Sequence, residues 1–219
     1  MKRFEPNLNI LPAAQRRLWP ELRQVPPAFV LYGGTAAGLR LGHRNSEDFD
    51  FFSSDSFQPE KLLSQISFLT GSSLLQSERN TLTVAVERNG PVKLSFFGGL
   101  NMGRVSEPES AGEIGLAVAS LRDLAATKVK VVQERAERKD YLDVAALLRA
   151  GLLLPEMLGA ARALYGDMFN PMITLRALSY FGDGDLPKLP EDVKQFLAQQ
   201  ASRVNVIPVI TRLSDRIAP

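Results

Sequence analysis

The stretch from Phe29 to Phe52 constrains this chain more than any other. Phe29-Val30-Leu31-Tyr32 is apolar and suits a buried strand, Gly33-Gly34-Thr35 suits a tight turn, and Ala36 to Leu41 a short helix. Asp48-Phe49-Asp50-Phe51 then predicts a second strand with an acid at every other position. Residues two apart on a strand share a face, so Asp48 and Asp50 project together while Phe49 and Phe51 enter a core. Two carboxylates on one face repel each other unless a cation lies between them. Such oxygen donors suit Mg²⁺ or Mn²⁺, usually shared with the phosphates of a substrate. A turn free of side chains lets backbone N–H groups approach those phosphates closely. The combination points to chemistry on a nucleoside triphosphate (NTP).

Composition narrows the rest. The 219 residues suffice for one large domain, or a core with a helical appendage. Net charge is only +2, so a nucleic-acid partner must be argued from where basic residues cluster, not from their total. Lys2, Arg3, Arg16, Arg17 and Arg23 are scattered along the N-terminal segment, which suits ordinary surface charge as well as an RNA backbone. The absence of cysteine excludes disulfides and zinc–thiolate sites, and a single histidine, His43, disfavours histidine-based relays. No apolar run reaches the length of a membrane span, and the Met1–Pro6 start lacks a following apolar segment. A cytoplasmic bacterial protein with no membrane partner is expected.

Along the chain, residues 12–23 read as a short amphipathic helix broken at Pro20. Pro59 to Leu69 reads as a helix. Thr81 to Phe97 reads as a hairpin in which a three-residue Asn89-Gly90-Pro91 loop sets Val86 opposite Leu94, Val84 opposite Phe96 and Glu87 opposite Lys93. Residues 98–112 read as a loop and Leu116–Val118 as a short edge strand. Helices are expected from Ser120 to about Arg138, over 139–149, and at 155–165, 171–181 and 190–203. The expected class is α+β: a mixed sheet flanked by helices, with a helical C-terminal part. The expected divisions are an N-terminal helical segment (1–27), an α/β core (28–118) and a helical region (119–219).

Four stretches carry a resemblance: Leu31 to Ala36, His43 to Phe52, Asp123 to Lys128, and Arg138-Lys139-Asp140-Tyr141-Leu142-Asp143. Together they resemble the AbiEii/AbiGii toxin family within the DNA-polymerase-β-like nucleotidyltransferase superfamily, over residues 28–150. The resemblance implies a Mg²⁺ (or Mn²⁺) ion on Asp48 and Asp50 and phosphates on Gly33, Gly34 and Thr35, the Thr35 hydroxyl donating to one of them. Arg44 and Ser46 would stand at the same cleft. It implies Lys128 reaching the triphosphate and Asp140 orienting it, supporting the metal or acting as a base, with Asp143 on the same helical face. The implied reaction moves a nucleoside monophosphate from an NTP to a hydroxyl acceptor. That acceptor would be an RNA 3′ end such as that of a tRNA, or a protein side chain. The setting would be a bacterial toxin–antitoxin or phage-defence pair with a cognate antitoxin.

Blander readings stand beside these. Asp48 or Asp50 also suits an ion pair with Arg44, Thr35 a helix cap, and Lys128 a solvated charged helix. Tyr32 and Tyr141 suit packing as well as base stacking. The superfamily usually carries a third carboxylate on a neighbouring strand, and Ser95 occupies that place in Val92-Lys93-Leu94-Ser95-Phe96. Two outcomes stay open: one metal with a different base, or an inactive relative that binds nucleotide without turnover.

Overall fold

The computed structural model describes residues 1–219. The chain forms two compact units, Met1–Ser120 with Ser214–Pro219, and Leu121–Leu213. The first contains every strand and the second is helical. This is the α+β class expected.

The first unit carries β1 (Arg3–Phe4), α1 (Ala13–Leu18), β2 (Val30–Tyr32), α2 (Gly33–Leu41), β3 (Phe49–Phe52), α3 (Pro59–Gln65), β4 (Ser73–Glu78), β5 (Thr81–Glu87), β6 (Pro91–Phe97), β7 (Glu109–Ala111) and β8 (Leu116–Val118). The strands make one eight-stranded mixed sheet in the order β1-β7-β8-β2-β3-β6-β5-β4. β3 lies near its centre, antiparallel to β2 and parallel to β6. Alternation along β3 buries Phe49 and Phe51 completely, and Phe51 stacks on Phe96 of β6 with ring centroids 4.9 Å apart. Each such side chain contributes roughly 1.5–3 kcal/mol on burial. This core makes the acid-bearing strand a rigid support.

Helix α2 follows β2 without an intervening loop, and it is tied at its far end as well. Arg40 donates to Glu109 at 2.6 Å and to the Val118 carbonyl at 3.2 Å, and its guanidinium lies 4.1 Å from the Phe4 ring centroid. The start of the helix is therefore held in place relative to the sheet. Chain end and strand end are also joined in this unit. Arg104 donates to the carbonyls of Arg216 and Ala218, and Arg216 makes two bonds to the Asp55 carboxylate in the loop after β3.

Several expectations are corrected. Pro20 does end α1, but the chain continues as a 3₁₀ segment over Trp19–Gln24. The hairpin loop is Arg88-Asn89-Gly90, one residue earlier than expected, so Val86 faces Val92, Val84 faces Leu94 and Glu87 faces Pro91. Asn89 takes the left-handed conformation (φ 57°), which asparagine tolerates. Pro91, with no N–H to give, takes the first strand position. The two-residue shift leaves every face unchanged but moves Lys93 from Glu87 to Ala85. β8 is an interior strand, because β7 forms within the presumed loop and covers it on one side while β2 covers the other.

The second unit packs α4 (Leu121–Val131), α5 (Arg138–Arg149), α6 (Leu154–Tyr165), α7 (Pro171–Ala177) and α8 (Glu191–Ser202). Leu124, Val129, Leu147, Leu158 and Leu197 form its core. Thr174 of α7 is fully buried and donates to the Val129 carbonyl at 2.7 Å, which pins α7 to α4. α4 ends at Val131, not near Arg138, since the charge-rich segment after it offers no apolar face to bury. No single helix is long and apolar enough to cross a membrane.

Candidate active site

Helix α2 begins at Gly33 with φ +74°, a left-handed value that L side chains rarely adopt. A Cβ there would lie 2.6 Å from Asp50 Oδ2, so the missing side chain is what lets the carboxylate reach the backbone. A Cβ on Gly34 would run into the Arg44 guanidinium and come 3.3 Å from Ser46 Oγ. The two glycines thus leave a cradle with Asp50 on one side and Arg44 and Ser46 on the other. The N-cap residue, Tyr32, makes no side-chain cap bond to the helix start. The first N–H groups of the helix have no intrahelical acceptor, and they carry the positive end of the helix dipole.

Asp48 stands one residue before β3 and Asp50 within it, separated by about 6.6 Å of strand rise. Asp48 is half-exposed, with Lys93 Nζ 3.8 Å from its Oδ2. Asp50 sits in register with Tyr32 of β2 and Ser95 of β6. Ser95 is buried, its Oγ 3.4 Å from Thr83 Oγ1. A hydroxyl therefore occupies the register position next to Asp50.

The Thr35 hydroxyl has a different task from the one expected. It donates to the Asp48 carbonyl and lies 2.8 Å from Ser46 Oγ. With one proton to give, it serves as an internal tie between the helix start and the acidic segment. Arg44 also donates to the Asn45 carbonyl at 2.9 Å, which holds its stem beside the cradle.

A second polar centre lies within the helical unit. Lys128 of α4 is buried, with Nζ 2.8 Å from Asp140 Oδ1 and 2.6 Å from Asp143 Oδ2. Asp140 and Asp143 of α5 are fully buried, and Arg135 Nε lies 2.7 Å from Asp140 Oδ2. Burial pushes the Asp140 carboxyl up. The Arg135 hydrogen bond and the Lys128 charge more than offset that, and the net direction is below the usual carboxylate value. A carboxylate held ionised in this way is a weak proton acceptor at neutral pH. Lys128 and Asp140 form one charge-balanced unit, not the solvated charged helix that the run of lysines and arginines also suited.

The tyrosines pack. Tyr32 is buried and stacks on Phe52 at 4.9 Å, and Tyr141 is buried edge-on to Phe181, its hydroxyl pushed up to about 12 first by burial. His43 is partly exposed in the segment between α2 and β3. Arg16 and Arg17 donate to the carbonyls of Leu11 and Arg88, so part of the N-terminal basic set is used inside the fold. Lys93, the basic neighbour of Asp48, was not singled out from the sequence. Alternation already set it on the face of Ser95, but the hairpin register assumed then aimed it at Glu87.

The residues present fit a bound divalent ion. Asp48 and Asp50 would supply hard oxygen donors beside the start of α2, and a Mg²⁺ held there would take its remaining ligands from phosphate and water. No cluster of three or more His, Asp or Glu side chains provides an all-protein cage.

Similar proteins share this architecture. A candidate nucleotidyltransferase from H. pylori has a crystal structure of the same fold, with TM-score 0.57 and 18% identity over 89% of this chain and 92% of that one. MenT4, a nucleotidyltransferase toxin from Mycobacterium tuberculosis H37Rv, superposes with TM-score 0.59 and 14% identity over 85% and 82% of the two chains. An uncharacterized protein of Aquifex aeolicus (strain VF5), aq_aa25, is 29% identical over 181 residues, covering 78% of this chain and 85% of that protein. The family described as "Nucleotidyl transferase AbiEii toxin, Type IV TA system" matches residues 21–205, taking in the α2 cradle, Asp48, Asp50 and the Lys128 centre. The chain belongs to that family of nucleotidyltransferases.

Proposed function

We propose that the protein binds an NTP with its phosphates at the start of α2 and transfers the nucleoside monophosphate to a hydroxyl acceptor. The observation that carries this reading is the close approach of Asp50 to Gly33 at the start of α2, with Arg44 and Ser46 against Gly34. The N–H donors of a first helical turn and its positive dipole end suit phosphate oxygens. Arg44 and Ser46 flank the position a phosphate would take. Asp48 and Asp50 would hold Mg²⁺ or Mn²⁺, which when bound offsets negative charge on the transferred phosphoryl group.

In the reaction the acceptor oxygen bonds to the α-phosphorus as the bond to the α–β bridging oxygen breaks. The electron pair of that bond leaves with pyrophosphate, and the hydroxyl proton passes to solvent. Catalysis rests on positioning and charge stabilisation, with little covalent work for the protein. Lys128 and Asp140 act as a charge-balanced pair within the helical unit, not as a separate phosphate ligand and base. Family membership supports a toxin with a cognate antitoxin as partner, and the acceptor we propose is an RNA 3′ end, a tRNA included, or a protein side chain.

The test is incubation with Mg²⁺, each α-labelled NTP and a bacterial extract, following label into nuclease- or protease-sensitive material. Mg²⁺-dependent labelling that Asp48→Asn abolishes is the expected result. NTP binding without labelling would instead assign an inactive relative. Labelling untouched by Asp48→Asn would overturn the metal assignment.

A further inference from the structure

We infer that Lys93 is a further triphosphate-binding residue, supplying at this site the positive charge that a second divalent ion would bring. The inference rests on the nucleotide-binding reading above and adds a residue to it.

Three observations carry it. The parallel pairing of β3 with β6 puts Phe49 beside Leu94 and Asp50 beside Ser95. Alternation then sets Lys93 on the same face as Ser95, and its ammonium lies 3.8 Å from Asp48 Oδ2. Lys93 is the cation that this strand delivers to the acidic row.

The pair is loose. Both side chains are about half-exposed, 49% and 47%, and the separation is at the outer limit of an ion pair. An exposed pair of this kind contributes little to stability. The ammonium therefore exchanges Asp48 for phosphate oxygens at small cost. A lysine is a compact point charge on a flexible stem, suited to following a phosphate.

Ser95 supplies the third observation. It is buried beside Thr83 and offers a hydroxyl where β6 would need an anion to hold a second divalent ion between itself and Asp50. With only two carboxylates in the row, one divalent ion already balances them. The charge of the triphosphate is then left to the α2 start, Arg44 and Lys93. One residue of β6 thus removes a metal ligand, and another, two positions earlier, brings a fixed cation.

The experiment uses the full chain, an NTP analogue with an α,β-methylene bridge, and Mn²⁺. Calorimetry gives analogue affinity, and electron paramagnetic resonance counts Mn²⁺ per bound analogue. The expected wild-type result is one Mn²⁺ per analogue. Lys93→Ala should weaken the analogue by about tenfold, the loss of one charge-assisted contact. It should leave the parent nucleoside's affinity unchanged, and Lys93→Arg should restore part of the loss. A change in thermal midpoint accompanied by equal loss for nucleoside and analogue would mark a structural role and overturn the proposal. So would two Mn²⁺ per analogue in the wild type, or full analogue affinity in Lys93→Ala. If the wild type binds no analogue, or Asp48→Asn binds it equally well, the nucleotide-site reading itself falls and Lys93 with it. Retained wild-type binding that Asp48→Asn weakens and Lys93→Ala does not would remove Lys93 alone.

Discussion

Gly33 bears two demands at once, a left-handed backbone and room for Asp50 Oδ2. Alanine there satisfies neither: the left-handed conformation costs about 1–2 kcal/mol, and the methyl group strikes the carboxylate. Helix start and acid must then separate, which removes the arrangement proposed to hold phosphate and metal together. The expected outcome for Gly33→Ala is loss of at least tenfold in NTP affinity by calorimetry with a thermal midpoint only a few degrees lower. Undiminished affinity would show that phosphate binds elsewhere. Gly33 was readable as special from Gly-Gly-Thr alone, because only glycine fits a strand-to-helix turn that a ligand approaches. The Thr35 hydroxyl was not, since the Asp48 carbonyl that takes its proton is thirteen residues away and reaches it only through the fold.

At the scale of elements, the α4–α5 pair is joined by ions as well as by apolar packing. Lys128 projects from α4, Asp140 and Asp143 from α5, and Arg135 from the turn between them. The Asp140 carboxyl lies below its ordinary value in the fold, so the native state binds fewer protons than the unfolded chain. Its contribution is complete above the ordinary carboxylate value and is lost as pH falls through the lower folded value. Asp140→Asn should cost about 3 kcal/mol at neutral pH, because a buried partner of Lys128 is removed. It should also flatten the acid limb of a stability–pH curve measured by denaturant melts. An unchanged acid limb would mean that other carboxylates govern it. Long periodic elements such as α5, α6 and α8 were legible because their apolar faces repeat. β1, β4 and β7 were not, for physical reasons. β1 and β7 have two and three residues, too few to show alternation, and β4 is an edge strand exposed along its whole length. The hairpin faces were readable and its register was not, because a two-residue slip preserves every face. That slip is what hid Lys93.

For the whole molecule, ligand linkage offers the broadest check. A ligand that binds only the native state adds RT ln(1 + [L]/Kd), about 2.7 kcal/mol at one hundred times Kd. For a chain of this size that corresponds to a rise of roughly 5–10 °C in thermal midpoint. The proposed nucleotide site is built entirely from residues of the first unit: the start of α2, the acidic residues at β3, Arg44 and Ser46 between them, and Lys93 of β6. Protection by an Mg²⁺-bound NTP analogue should therefore appear first in the unfolding of Met1–Ser120. Hydrogen exchange during the melt would report it there. Asp48→Asn should abolish the shift while leaving the ligand-free midpoint nearly unchanged, since Asp48 is half-exposed and its pairing with Lys93 is weak. Asp140→Asn should do the reverse to the baseline, lowering the ligand-free midpoint through the second unit's buried ion pairs. A shift that survives Asp48→Asn would place the nucleotide away from the β3 carboxylates. Protection confined to Leu121–Leu213 would relocate it to the helical unit.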